Sequence, residues 1–82
     1  MHDPRVDPRP GDVVARPLPK YERFDGRSIR TVLGRKGGDI SYRYDREMNG
    51  GMDPYKGRVE SCWVITWKDW CRDAEVLHVA GE

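Results

Sequence analysis

A run of ten residues, CWVITWKDWC, contains every cysteine and every tryptophan of this 82-residue chain. Thiolates bind metals or form disulfides, and indole rings either stack on a ligand or fill a core. Cys62 and Cys71 are too far apart in sequence for a CxxC pair, and a structural zinc ion needs four ligands. His2 and His78 lie at opposite ends of the chain. We therefore expect no metal site and no cofactor.

The cellular compartment bears on the state of the two thiols. The N-terminus, MHDPRVDPRPGD, lacks the apolar segment of a secretory signal. No apolar run reaches the roughly 18–20 residues of a membrane span. These features predict a cytoplasmic protein without a membrane partner. Cytoplasmic thiols are normally reduced, so Cys71 is predicted to pack as a small apolar side chain.

The tryptophans fit structural positions better than a ligand cage. Trp63 alternates with Val59 and Ile65, as on one face of a strand, whereas Trp67 and Trp70 share one face of a short predicted helix. A chain of this length has a small core, and each buried indole removes about 150–250 Å² from water. The rings are therefore predicted to fill the core, with Trp67 or Trp70 partly exposed.

The sequence shows no pattern typical of catalysis. It has no nucleophile elbow, no HExxH and no clustered Ser, His and Asp, and its glycine pairs lack the Lys-Ser/Thr of a phosphate loop. The net charge of +1 also argues against binding a polyanion through bulk charge. We therefore predict a binding protein rather than an enzyme.

The elements that must position these residues are short. Residues 1–11 are rich in proline and predicted to be an extended arm, followed by one domain over 12–82. A one- or two-turn helix is predicted to begin at Thr66, which would be its N-cap. The predicted strands cover 12–16, 28–35, 39–45, 58–65 and 74–79.

The second and third strands carry the clearest pattern. Both alternate with period two around the glycine pair 37–38, which is typical of an antiparallel hairpin with one buried face. The predicted apolar face consists of Ile29, Thr31 and Leu33 from one strand and Ile40, Tyr42 and Tyr44 from the other.

From Asp12 to Val79 the order is strand, long loop, hairpin, long loop, strand, short helix, strand. This order resembles Src-homology-3-like and Tudor-like small barrels. The resemblance implies a mainly β fold, a small five-stranded antiparallel SH3-like barrel with one short helix before the last strand. The segments DPRPGDV and TWKDWCRDAEVL also resemble small phage and bacterial proteins, which implies an inhibitor or accessory protein that acts on a host protein.

The first functional hypothesis is a non-catalytic module that binds a protein partner. Two polar, glycine- and proline-rich loops, 16–27 and 46–57, carry aromatic and methionine side chains. Tyrosine and methionine are enriched at protein interfaces, and methionine adapts to irregular partners. The predicted contact residues are Tyr21, Phe24, Met48, Met52 and Tyr55.

The alternative is nucleic-acid or nucleotide binding, suggested by an uneven charge distribution. Residues 16–36 carry seven basic and two acidic side chains, whereas 60–82 carry two basic and five acidic ones. Arginine beside aromatic rings is one way to hold single strands, although the two charged halves could simply complement each other. The candidate nucleic-acid residues are Arg27, Arg30, Arg35, Lys36, Tyr42 and Arg43.

A third hypothesis is a homodimer formed through the hairpin's outer strand.

Overall fold

The computed structural model describes residues 2–17, 26–48 and 57–81, and in the second range the side chains of residues 27–45. The strands are β1 (Val13–Pro17), β2 (Gly26–Lys36), β3 (Asp39–Met48), β4 (Arg58–Trp63) and β5 (Glu75–His78). The helix α1 (Val64–Trp70) and a 3₁₀ turn (Cys71–Asp73) connect β4 to β5.

The five strands form one antiparallel sheet in the order β4-β3-β2-β1-β5. This confirms the predicted mainly β fold and the short helix before the last strand. Over the described ranges β4 and β5 are the two edges of an open sheet, so the closed barrel is not shown.

The hairpin is confirmed, but the prediction of its buried face is wrong for β2. Val32 is 1% exposed and opposite Tyr42, whereas Leu33 is 46% exposed at a register shift between Val32 and Gly34. The inward side chains of β2 are therefore Ser28, Arg30 and Val32. The physical reason is that the guanidinium of Arg30 stacks on aromatic rings, which makes the inner face acceptable for a cation.

The core forms between the inner face of the sheet and α1. Trp67 is fully buried, its ring centroid lies 5.6 Å from that of Tyr42, and Trp70 is partly buried beside it. The predicted helix face and the packing of Cys71 as a small apolar residue are confirmed. The buried core cluster consists of Val14, Val32, Ile40, Tyr42, Trp67, Cys71 and Ala74.

The predicted inner face of β4 is wrong. Val59, Trp63 and Ile65 are 63%, 69% and 73% exposed, and Cys62 and Val64 instead pack against the core. The reason is the register with β3, which places Cys62 opposite the buried Ile40. β4 ends at Trp63 and α1 begins at Val64, so the predicted start of the helix at a Thr66 cap is also wrong.

The N-terminal segment is packed against the helix. Pro4 and Pro8 are buried, and the indole Nε1 of Trp67 donates a hydrogen bond of 2.9 Å to the carbonyl oxygen of Pro4. Residues 4–6 and 10–11 form turns. The segment therefore closes one side of the core, while the division into arm and domain stays a prediction.

Alkaline pH should destabilise the fold through Cys71. Burial raises the pKa of its thiol from 9.0 to about 12. Because the folded state keeps this proton to higher pH than the unfolded state, the free energy of unfolding should fall as pH rises above about 9, by on the order of 1 kcal/mol per unit. Urea unfolding of wild type and Cys71→Ala at pH 7, 9 and 10 measures this. An equally steep decline in the variant would assign the effect to other groups.

Candidate functional site

β4 is an edge strand whose outer side pairs with no strand in the described part of the chain. The amide of Val64 donates to Gly38 at 2.8 Å, and the amide of Gly57 donates to Tyr44 at 3.0 Å, where Gly57 has a φ of 77° as in a glycine bulge. These two bonds define which backbone groups face β3. In an antiparallel ladder the residues that point toward one neighbour alternate with those that point away.

Three residues of β4 consequently direct their backbone N–H and C=O groups to the free edge. Glu60 and Cys62 have the same parity as Val64 and face β3, where they are opposite Tyr42 and Ile40. The outward residues are Val59, Ser61 and Trp63.

Apolar side chains accompany this edge. Val59 and Trp63 of β4 and Ile65 at the start of α1, which together we call the β4 patch, are each more than half exposed. A Cβ atom at Gly38 would lie only 3.3 Å from Cε3 of Trp63, so the indole rests on the glycine of the hairpin turn. The ring is thus held in place by the fold although its outer surface faces solvent. Three large exposed apolar side chains along one strand edge form a candidate interaction surface.

The cluster of aromatic rings on the inner face already contains a cation. The guanidinium carbon of Arg30 lies 4.4 Å from the Tyr42 ring centroid and 4.0 Å from that of Trp70. Burial lowers the pKa of Arg30, and its Nε and Nη1 atoms have no hydrogen-bond partner among the described residues. Arg16 lies 6.0 Å from the same Trp70 ring. The ring faces that a ligand would use are therefore covered by the chain's own arginine.

The structure does not bring the candidate nucleic-acid residues onto one surface. Arg30 and Tyr42 lie on the inner face, whereas Arg27 and Arg43 alternate with inward residues and lie on the outer face. Several of these arginines pair with carboxylates, at distances of 2.7 Å for Arg35–Asp7, 3.2 Å for Arg43–Asp45 and 4.0 Å for Arg27–Glu75. Lys36 is exposed beside the hairpin turn.

The candidate protein-binding residues cannot be placed in the same way. Tyr21, Phe24, Met52 and Tyr55 lie outside the described residues, and Met48 is the last residue of β3, with its side chain outside them. The sequence pattern predicts the residues of the β4 patch in the core and therefore does not indicate a surface there. The sequence does contain a signal for this surface. Cys62 and Val64, two smaller apolar residues, also alternate along the strand, so they could fill the core in place of Val59, Trp63 and Ile65.

An open groove of about 320 Å³ lies between the N-terminal segment and β5, lined by His2, Asp3, Pro4, Val76 and Val79. Its polar side chains are already engaged, because His2 contacts Asp12 at 2.6 Å and Asp3 bonds Arg5. The groove therefore gives no support for acid–base catalysis. Within residues 2–17, 26–48 and 57–81, no three His, Cys, Asp or Glu side chains are grouped as metal ligands would be.

Comparison of the chain with protein-family models, with curated proteins and with solved structures gave no match. No helix in the described part of the chain has the length and apolar character needed to cross a membrane.

Proposed function

We propose that the protein is a non-catalytic binding module that contacts a protein partner through the β4 patch. The observation that carries this proposal is the combination of Val59, Trp63 and Ile65, exposed at 63%, 69% and 73%, with a strand edge that no strand within residues 2–17, 26–48 and 57–81 pairs with. Val59, Ser61 and Trp63 direct backbone donors and acceptors away from β3, and the indole supplies a large apolar contact. Tryptophan is enriched among the residues that dominate binding energies at interfaces.

The strand order and the helix before β5 support a place for this domain among the SH3-like folds, which we propose as its finer class. Peptides commonly add a strand to an exposed sheet edge, and side chains beside that edge provide specificity. The β4 edge offers both features. A cytoplasmic location and a role as inhibitor or accessory protein of a host protein stay hypotheses.

Loss of the β4 patch should abolish partner capture without affecting the fold. In a pull-down from the cell that makes the protein, the double variant Trp63→Ser, Ile65→Ser should recover at least about tenfold less of each specific partner, because a buried interface tryptophan often contributes 2 kcal/mol or more. Quantitative mass spectrometry measures the recovery, and circular dichroism verifies the fold.

The matched control is Leu77→Ser, which removes an apolar residue of 40% exposure from the other edge strand. Its partner recovery should equal that of wild type. Equal recovery with the double variant would reject the β4 patch as the binding surface.

Titration with a single-stranded oligonucleotide at two salt concentrations tests the alternative hypothesis of nucleic-acid binding, because phosphate-driven binding weakens steeply with salt.

A further inference from the structure

We infer that a partner of the β4 patch is a second copy of this chain, added edge to edge across a two-fold axis at Ser61. This inference rests on the proposed function, since it uses the same surface. Two β4 strands would pair antiparallel and join the two five-stranded sheets. Antiparallel self-pairing is the arrangement that a two-fold axis imposes on a strand paired with its own copy.

The backbone parity of β4 restricts the registers that such a pair can adopt. Val59, Ser61 and Trp63 point their N–H and C=O groups to the free edge, so a partner must place these residues opposite one another to form hydrogen bonds. With Ser61 opposite Ser61 of the second copy, Val59 is opposite Trp63 and all three residues are used. Each opposed pair exchanges two bonds, which makes about six in the interface.

The side chains select the same register. Val59, Ser61 and Trp63 lie on one face of β4, and pairing at Ser61 places the valine of each copy beside the tryptophan of the other. Aromatic and β-branched residues form favourable cross-strand pairs. A shift by one pair in one direction would set Val59 opposite Ser61 and Trp63 opposite Gly57, which leaves the apolar groups without apolar neighbours. The opposite shift would set Trp63 opposite Ser61 and Val59 opposite Ile65, which lies in α1 and not in a strand. The strand is therefore self-complementary in one register.

Charge and contact area are compatible with this pairing. Arg58 and Glu60 form an ion pair of 3.2 Å within one chain, on the face opposite the outward apolar residues. A self-paired edge therefore does not bring an uncompensated like charge to the axis. The two indoles together contribute at most about 300–500 Å², and six-residue strands add to this toward the roughly 1,000 Å² of a specific interface.

Sedimentation velocity and disulfide trapping test the inference. The wild-type chain should be a dimer at about 10–100 µM, and Ser61→Pro should raise the dissociation constant at least about 30-fold. Proline at this position removes an amide that points away from β3, so the intrachain ladder is kept.

In a Cys62→Ser chain, Ser61→Cys should form an intermolecular disulfide under mild oxidation, because opposed Cα atoms lie about 5.5 Å apart.

The matched control for register is Val59→Cys in the same chain. Two copies of residue 59 would be separated by four residues along the strands, about 13 Å, which is too far for a disulfide. A disulfide formed by Val59→Cys but not by Ser61→Cys would overturn the register. A monomer at all concentrations would overturn the dimer, as would a dimer that Ser61→Pro leaves intact. A monomer that still captures a different protein through Trp63 would refute this inference and leave the proposed function standing.

Discussion

Replacement of Trp67 by alanine should lower the free energy of unfolding by about 3–5 kcal/mol, the largest loss of any single substitution in this chain. The side chain is fully buried, packs on Tyr42 and Trp70, and donates its indole N–H to the carbonyl of Pro4 at 2.9 Å. Lost burial of the indole and the cavity left behind together account for this cost, against a total stability of about 5–15 kcal/mol for a natural domain. Urea unfolding followed by far-ultraviolet circular dichroism measures the change.

Two further variants separate the contributions at this position. Trp67→Phe keeps an aromatic ring but loses the hydrogen bond, so its free energy of unfolding should lie between those of wild type and Trp67→Ala. Trp63→Ala removes an indole that is 69% exposed and should change the free energy of unfolding of the isolated chain by less than about 0.5 kcal/mol. Equal destabilisation by alanine at positions 63 and 67 would contradict the placement of the core.

Local patterns in the sequence predict the parts of the fold that depend on neighbouring residues. Period-two alternation on both sides of Gly37 and Gly38 predicts the hairpin, and the turn is confirmed with Gly37 at a φ of 62°. The spacing of Trp67, Trp70 and Cys71 predicts one buried helix face, because residues three and four apart are neighbours on a helix.

The faces of β2 and β4 could not be predicted because they depend on distant partners. Arg30 is acceptable on the inner face only since Tyr42 and Trp70, from β3 and α1, provide rings for its guanidinium. A pattern that ranks residues by hydrophobicity assigns Ile29 and Leu33 inward instead. Position 33 also lies within a register shift between Val32 and Gly34, and the glycine in this strand is the local signal for such an irregularity.

The candidate site could not be predicted for the same reason, because a hydrophobicity pattern places its apolar residues in the core. Along β4 and the start of α1, both alternating sets of residues contain apolar side chains. The set with the larger side chains, Val59, Trp63 and Ile65, is the exposed one. Because these apolar side chains lie outside the core, they are available to contact a partner, as the proposed function requires.

Replacement of Asp12 by alanine should be the most disruptive change outside the aromatic core. Asp12 is fully buried, and its carboxylate accepts hydrogen bonds from the amides of Ala80 at 2.6 Å and Arg9 at 2.7 Å, with His2 Nε2 at 2.6 Å. Removal of the carboxylate leaves these donors without an acceptor. We expect a loss of about 3–5 kcal/mol, because breaking a buried charged network costs this much. Asp12→Asn, which keeps one acceptor oxygen, should lose less.

The loss in Asp12→Ala should appear first where the N-terminal segment covers the core. The carbonyl of Asp12 accepts from Val32 at 2.8 Å, so the residue joins β2, the N-terminal segment and the turn after β5. In a Trp63→Phe background, acrylamide should quench the remaining tryptophan fluorescence more strongly in Asp12→Ala than in the exposed control Asp69→Ala. Quenching that is the same in both variants would show that Asp12 does not hold Pro4 over Trp67, because release of this segment exposes the indole before the sheet unfolds.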